Sequence, residues 1–140
     1  MASNKKKVIF ICKNNSGRSQ LAEALLKNTY GDFYDVYSAG SEPLEINPLT
    51  IKVLSEIGID ISQNKSKSLK KFQGQEFDYV VSLCEEGACP IFIGGKIHIH
   101  HGFPDPREFE GDYEFQLESF RKLRDEIQKW IKKEIKIDLK

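Results

Sequence analysis

The sequence has no long apolar run and no excess of charge of either sign. A helix that crosses a membrane needs about 20 mostly apolar residues, whereas the longest uninterrupted apolar run here is the five-residue stretch at 8–12. Lys and Arg together number 21, as do Asp and Glu, so the formal net charge is zero. A surface that binds nucleic acid needs a basic excess. The sequence therefore predicts neither a membrane nor a nucleic acid as a partner.

Cysteine is scarce, with three residues in a chain of 140, and the odd number argues against a disulfide scaffold. A chain of this length buries enough apolar surface to fold without disulfides or a metal. The basic start at residues 5–7 precedes an apolar run that is too short for a secretory signal. Thiols of this kind are usual in a reducing compartment. We therefore expect a single domain over residues 1–140, monomeric and cytoplasmic.

Apolar runs that are typical of buried strands alternate with amphipathic segments along the chain. Such alternation indicates a parallel sheet that is covered by helices. It predicts an α/β fold, a single-domain three-layer sandwich with a four-stranded parallel sheet and helices on both faces. The strands are predicted at 8–11, 34–39, 78–83 and 97–100, and the helices at 19–27, 48–57, 66–72 and 117–131.

The loop after the first predicted strand combines a cysteine, an arginine and several small polar residues. Ligands of parallel sheets bind at the carboxyl ends of strands, and the backbone amides of a tight loop before a helix attract anions. The planar guanidinium of Arg18 is able to bind two oxyanion oxygens at once. Asn15 and Gly17 are residue types that tolerate left-handed backbone. The predicted oxyanion-binding residues are Lys13, Asn14, Asn15, Ser16, Gly17 and Arg18.

Cys12 is the predicted nucleophile of this loop. It lies at the carboxyl end of the first strand, where the helix dipole and Arg18 favour a thiolate. A thiolate beside a tetrahedral oxyanion is able to attack the central atom. Ser19 is placed to hydrogen-bond the sulfur or to cap the helix. The alternative is a buried structural cysteine beside an arginine that pairs with a carboxylate.

The first strand and its loop resemble a known family. Residues 8–12, followed by NSGRSQ at 15–20, are similar to the active-site segment of the low-molecular-weight protein tyrosine phosphatase superfamily. Within it, Cys84 after the third strand makes the chain resemble the thioredoxin-coupled arsenate reductases. The resemblance implies the low-molecular-weight phosphatase-like fold and the reduction of arsenate to arsenite. Further similar segments lie at 38–40, 58–62, 80–84 and 102–106.

The resemblance implies a relay of three thiols. Cys12 would attack arsenate, and Cys84 would then attack Cys12 and release arsenite. Cys89 would attack Cys84 and form a Cys84–Cys89 disulfide, which a thioredoxin-type protein would reduce. The spacing between Cys84 and Cys89 is shorter than in well-known members, so glutathione with glutaredoxin is the alternative reductant. Judged from the residues alone, these two cysteines also suit small core positions or a zinc site. Such a zinc site would add His98, His100 and His101.

Asp105 resembles the general acid of this family, which protonates the departing oxygen. From the residues alone, an Asp-Pro pair is also a common turn. Phosphotyrosine-specific members carry aromatic residues after this proline, whereas Arg107 and Glu108 stand here, which favours a small inorganic oxyanion. The alternative function is a low-molecular-weight protein tyrosine phosphatase or small phosphomonoesterase that uses Cys12, Arg18 and Asp105.

Some reductases of this family hold a potassium ion near the active-site loop, at positions that match Asn15, Glu23 and Ser38. A fourth position, usually a carboxylate, falls near Lys67. Because a lysine ammonium carries the same charge as the cation, it is able to take its place. We therefore predict no required potassium, no other cofactor and no metal, and we expect these four residues to support the loop.

Overall fold

The structure, a computed structural model, describes residues 5–85, 90 and 92–135. Within these residues, four β-strands and three α-helices follow one another in the predicted order, and two short 3-10 helices lie in the connections. The strands are β1 (Lys6–Cys12), β2 (Tyr34–Gly40), β3 (Phe77–Ser82) and β4 (Gly95–His100). The α-helices are α1 (Arg18–Tyr30), α2 (Pro48–Ser55) and α3 (Tyr113–Glu134), and the 3-10 helices are Leu69–Phe72 and Pro106–Glu108.

β1 lies in the interior of the sheet. The strand order is β2-β1-β3-β4, and every neighbouring pair is parallel. Residues 8–11 of β1 are fully buried, as expected of a parallel strand that is covered on both faces. The chain passes from β1 to β2 on one side and later enters β3 on the other side, so the strand order reverses at β1. The predicted four-stranded parallel sheet is confirmed.

Side chains of β1 point alternately to the two faces of the sheet, because successive residues of a strand do so. Phe10 belongs to an apolar cluster that includes α1, α2 and α3. Ile11 belongs to a second cluster on the opposite face, which the 3-10 helix Leu69–Phe72 and the ring of Phe92 cover. The predicted three layers are confirmed, with a short 3-10 helix where the sequence indicates a helix at 66–72.

α2 is shorter than the apolar spacing predicts. Asn47 caps it, because its side chain accepts a hydrogen bond of 2.8 Å from a backbone amide of the first turn. The helix ends at Ser55, so Ile57, which we expect on the buried face, lies beyond the helix and is 46% exposed. Gly58 adopts a φ of 84° in the turn that follows. The Gly58 amide donates to the Ser55 carbonyl and the Ile59 amide to the Leu54 carbonyl, the paired bonds that close a helix at a left-handed glycine, so Gly58 terminates α2 as predicted.

α3 is long but amphipathic. One face packs into the cluster with α1 and α2, and the opposite face carries the charged residues. Among the residues described, no helix combines the length and the apolar character that a bilayer span requires. The buried residues of α3 are Leu117, Phe120, Leu123, Arg124, Ile127 and Ile131.

A charged cluster joins α3 to the end of α2. Arg121 donates to both carboxylate oxygens of Glu56, at 3.0 and 2.6 Å. Arg124 donates to Glu56 at 3.1 Å and to the carbonyl of Val53 at 2.8 Å. The hydrogen bond from Arg121, with the charge of both guanidinium groups, holds the pKa of Glu56 below its usual value. This cluster keeps α2, and with it the segment before α2, against α3.

Candidate active site

The segment from Cys12 to Arg18, here called the Cys12 loop, connects β1 to α1 where the strand order reverses. Asn15 in its middle has a φ of 50°, a left-handed conformation that asparagine tolerates better than most residues. Gly17 has a φ of −137°, so left-handed backbone is not the reason for a glycine there. The loop lies at the sheet edge where the sequence predicts the anion site.

The carbonyl groups of the Cys12 loop accept hydrogen bonds from the surrounding chain. The carbonyls are thus bound from outside the loop, whereas an oxyanion requires amides that face its interior. The Asn15 amide shows this arrangement, because it donates to Sγ of Cys12 at 3.3 Å. The carbonyl contacts are those of Lys13 with the Glu42 amide, of Asn14 with the Leu44 amide and the Ser66 hydroxyl, and of Ser16 with the Asn47 amide and the Thr50 hydroxyl.

The Cys12 thiol lies at the base of this loop and is only 2% exposed. It is a free thiol, and its Sγ lies 2.9 Å from Oγ of Ser19. Together with the Asn15 amide, this hydroxyl fixes the direction of the sulfur. The sequence therefore places Cys12 and Ser19 correctly as neighbours, and the geometry suits a nucleophile that is aimed at a group inside the loop.

Arg18 reaches from the start of α1 to the segment before α3. Its buried guanidinium donates to the Phe103 carbonyl at 3.2 Å and lies 3.8 Å from Oδ2 of Asp105. Asp105 caps the 3-10 helix Pro106–Glu108, because its Oδ1 accepts from the Arg107 amide at 3.0 Å. Arg18 thus brings the predicted acid to the same side of the molecule as the predicted nucleophile.

Asn15 is the centre of a buried polar network beneath the loop. Its Nδ2 donates to Oγ of Ser19 at 2.7 Å and to Oγ of Ser38 at 2.9 Å. Its Oδ1 accepts from Gln20 at 3.0 Å and from the Lys67 amide at 2.8 Å. All the hydrogen-bonding positions of this buried amide are therefore used, and the network fixes the left-handed residue of the loop.

Glu23 extends the network to charged side chains. Its Oε1 accepts from the Ser38 hydroxyl at 2.6 Å and lies 3.5 Å from Nζ of Lys67. Its Oε2 lies 2.8 Å from Nζ of Lys27. The carboxylate is buried, so the two ammonium groups offset the cost of removing its charge from water. Asn15, Glu23, Ser38 and Lys67, grouped from the sequence as loop supports, are brought together.

Cys84 lies at the same sheet edge as Cys12. The Leu83 amide, just after β3, donates to the Ile11 carbonyl of β1 at 2.9 Å, and each cysteine follows directly. Neighbouring strands run about 4.8 Å apart, so Cys12, the last residue of β1, and Cys84, two residues beyond β3, lie at the carboxyl ends of adjacent strands. Cys84 is buried and disulfide-bonded, whereas Cys12 is a free thiol. Cys89 lies outside the described residues.

Some predicted residues are not drawn into this cluster. The side chain of Lys13 is half exposed, and its Nζ lies 3.6 Å from Glu42, so it faces away from the interior of the loop. His98 and His100 are exposed on β4, and the ring of His101 packs against neighbouring aromatic rings. In the part of the chain that the structure describes, no three His, Cys, Asp or Glu side chains form a group that could hold a metal.

Several residues that complete the site were given no role from the sequence, although Gln20 and Gly40 lie in segments that resemble the family. Gln20 supports the central amide of the network, and a Cβ added to Gly40 would lie 2.6 Å from the Lys13 carbonyl oxygen. Thr50 and Ser66 bind loop carbonyls that are 34 and 52 residues away. A periodic pattern reports only the neighbours within one element, so these contacts become visible only in the folded chain.

A cysteine and an arginine that enclose a tight loop, between an interior parallel strand and a helix, define a class of enzymes that attack tetrahedral oxyanions with a thiol. The chain belongs to the low molecular weight phosphotyrosine protein phosphatase family, whose family model matches residues 7–138. This match covers the whole of the site described above.

Known relatives are similar to this chain over nearly all of its length. An arsenate reductase of Halalkalibacterium halodurans is 46% identical over 131 residues, which cover 92% of this chain and 94% of that protein. A solved structure described as an arsenate reductase in the oxidized state has a TM-score of 0.78 at 32% identity, covering 91% of this chain and 95% of that chain. A thioredoxin-dependent arsenate reductase of Corynebacterium glutamicum has a TM-score of 0.64 at 34% identity, covering 94% of this chain and 64% of that chain.

Proposed function

We propose that this chain is an arsenate reductase, which converts arsenate to arsenite with electrons from its own thiols. The observation that carries the proposal is a second cysteine at the active edge of the sheet, because Cys84 lies just beyond β3, the strand next to that of Cys12. Reduction of As(V) to As(III) takes two electrons, which one thiol cannot supply without a partner. The relative and the two solved structures described above are named arsenate reductases, which supports the same function.

Arsenate binds in the Cys12 loop in this proposal. The loop amides and the positive end of α1 attract the oxyanion, and the Arg18 guanidinium binds two of its oxygens. Asp105, 3.8 Å from Arg18, is within reach of the oxygen that departs when Cys12 attacks. A protonated carboxyl there assists the departure of this oxygen as water.

The electrons move through two successive sulfur attacks. Cys12 first attacks arsenic, so an As–S bond forms and one arsenate oxygen leaves as water. Cys84 then attacks Sγ of Cys12; the electron pair of the As–S bond stays on arsenic, which leaves as arsenite, and a Cys12–Cys84 disulfide forms. Cys89 attacks Sγ of Cys84 and frees the Cys12 thiolate. Two thiols have then become one disulfide, which accounts for both electrons. The part of Cys89 rests on its place in the sequence and on the family resemblance.

A thioredoxin-type protein reduces the final disulfide in this proposal. One solved structure similar to this chain is described as thioredoxin-dependent, which supports that reductant. Glutaredoxin with glutathione is the alternative, and steady-state turnover with each reductant in turn distinguishes the two. Because the thiols have to be regenerated after every cycle, we place the enzyme in the reducing cytoplasm, where it acts as a monomer.

A single turnover of the fully reduced protein with arsenate tests the proposed function. Without external reductant, we expect about one equivalent of arsenite per chain and a Cys84–Cys89 disulfide in the peptide map by mass spectrometry. The control is Cys12→Ser, which should form no arsenite and no disulfide. Three free thiols in the arsenate-treated protein would contradict the relay.

We also propose that the Lys67 ammonium stands where a relative would hold a monovalent cation. Nζ of Lys67 lies 3.5 Å from Oε1 of Glu23 and 3.3 Å from the Lys65 carbonyl oxygen. A cation added at this carboxylate would be repelled by the ammonium already beside it. Activity of the protein is therefore independent of potassium.

Lys67→Asp should make the enzyme depend on potassium. The substitution replaces the ammonium that faces Glu23 with a second carboxylate, and two partly buried like charges repel each other unless a cation separates them. We expect kcat/KM for arsenate to fall about tenfold in choline chloride, which is roughly 1.4 kcal/mol, and to recover in potassium chloride of equal ionic strength. Wild type and the neighbouring control Lys65→Ala should behave alike in both salts. Activation of the wild type by potassium would refute the proposal.

A further inference from the structure

The segment that carries Asp105, here called the acid loop (residues 104–108), docks directly on the Cys12 loop. The first point of contact is polar. Nη1 of Arg107 donates to Oδ1 of Asn14 at 3.2 Å, across 93 positions of sequence. The Asn14 side chain is held in place from its other end, because its Nδ2 donates to the Glu42 carbonyl at 2.7 Å. Arg107 therefore binds an acceptor whose position is already fixed.

The second point of contact is steric. A Cβ added to Gly17 would lie 2.7 Å from Cγ of Pro106, closer than real Cβ atoms approach other atoms, so the proline ring fills the space that a side chain at Gly17 would need. Pro106 precedes Arg107 directly. The acid loop thus rests on the Cys12 loop through two consecutive residues, one packed on glycine and one hydrogen-bonded to asparagine.

Arg107 also touches the predicted acid. Its backbone amide donates to Oδ1 of Asp105 at 3.0 Å, while its guanidinium is bound to Asn14. One residue therefore links the carboxyl group to the Cys12 loop. Arg107 and Ser16 also line an adjoining cavity of about 420 Å³, which is large enough for an aromatic ring.

We propose that Arg107 is a positioning residue that sets substrate size. Bound to Asn14, it holds the acid loop against the Cys12 loop, so that only small tetrahedral oxyanions reach the buried Cys12 sulfur. A phosphate or arsenate ester with a bulky group needs the adjoining cavity, and it gains access only when Arg107 leaves Asn14. The proposal rests on the proposed function, since it explains why an enzyme of this fold selects an inorganic substrate.

Alkylation of Cys12 measures this access without any turnover. The reduced protein is treated with iodoacetamide or with its bulkier N-phenyl derivative, and the modified Cys12 peptide is quantified by mass spectrometry over time. The ratio of the two rates is the readout. Any change in the intrinsic reactivity of the sulfur affects both reagents alike, so it cancels in the ratio. The ratio then depends only on the size of the opening through which the reagents reach Cys12.

Arg107→Ala should raise the bulky-to-small ratio about fivefold, as expected from the loss of one hydrogen bond of ordinary strength at an exposed side chain. Asn14→Ala removes the acceptor and should raise the ratio by a similar factor. The ratio in the double variant should be no higher than in either single variant, because both substitutions remove the same contact. The control is Glu108→Ala, which changes an exposed neighbour in the acid loop and should leave the ratio unchanged.

Unchanged ratios in Arg107→Ala, or additive effects in the double variant, would overturn the proposal. Equal effects in Arg107→Ala and Glu108→Ala would also overturn it, since they would indicate general loosening of the acid loop. None of these results bears on arsenate turnover, which the single-turnover experiment measures separately. Failure of the proposed role of Arg107 and failure of the proposed function are therefore distinguishable.

Discussion

Cys84→Ser should form no arsenite at all, although arsenate still binds at Cys12. Serine has nearly the shape of cysteine, so the buried site at the end of β3 keeps its packing. What the variant lacks is the sulfur that attacks Cys12 and leaves the electron pair of the As–S bond on arsenic. Without that attack, the arsenic bound to Cys12 returns to arsenate by hydrolysis.

Arsenite release and anion binding have to be measured on the same samples. Arsenite is quantified after incubation of reduced protein with arsenate, and binding is measured as protection of Cys12 from iodoacetamide by arsenate or phosphate. Cys84→Ser should show full protection and no product. Any hydrolysis of an aryl phosphate by the wild type should persist in this variant, because that reaction needs Cys12, Arg18 and Asp105 but no second thiol.

Two further variants establish the order in which the three thiols react. Cys12→Ser should give no product, because it has no sulfur to attack arsenic. Cys89→Ser should release about one equivalent of arsenite and stop as a Cys12–Cys84 disulfide, because only the last exchange is blocked. Continued turnover by Cys84→Ser would show that the electrons take another route, and the assignment of Cys84 would then be wrong.

The residues around Cys12 were predictable because their signals are local. A buried strand, a short loop with a cysteine and an arginine, and a following helix lie within about 20 residues, and topology alone fixes where such a loop lies. The network of Asn15, Glu23 and Ser38 was reached through family resemblance, and the structure gathers these residues in one buried cluster. Their catalytic roles remain predictions.

What the sequence did not reveal depends on contacts between distant segments. Ile57 fits a helical period, yet α2 ends at Ser55, because a period fixes which face is apolar and not where the helix stops. Lys13 stands next to the nucleophile in sequence, but its side chain pairs with Glu42. Arg107 entered the sequence analysis only as the non-aromatic residue after the Asp-Pro pair, and its hydrogen bond to Asn14, 93 positions away, becomes visible only in the folded chain.

Gly40→Ala should lower kcat/KM for arsenate about 100-fold, because it displaces the Cys12 loop without removing any reacting group. Gly40 ends β2 next to this loop, and its backbone pairs with Cys12. An added Cβ would lie 2.6 Å from the Lys13 carbonyl oxygen and 2.8 Å from the Asn15 amide nitrogen. Both atoms are backbone atoms, so no side-chain rotation relieves the contact.

The displaced Asn15 amide is the one that donates to the Cys12 sulfur, so the loss should appear in activity more than in stability. Steady-state kinetics and urea unfolding of the same protein separate these quantities. Gly58→Ala is the matched control, because its φ of 84° strains an alanine while no atom lies within 4 Å of the added Cβ. It should lose about 1–2 kcal/mol of stability and keep kcat/KM within about twofold. If Gly40→Ala lost stability but not activity, the Cys12 loop would tolerate displacement of its backbone, and a rigid ring of amides could not be the basis of oxyanion binding.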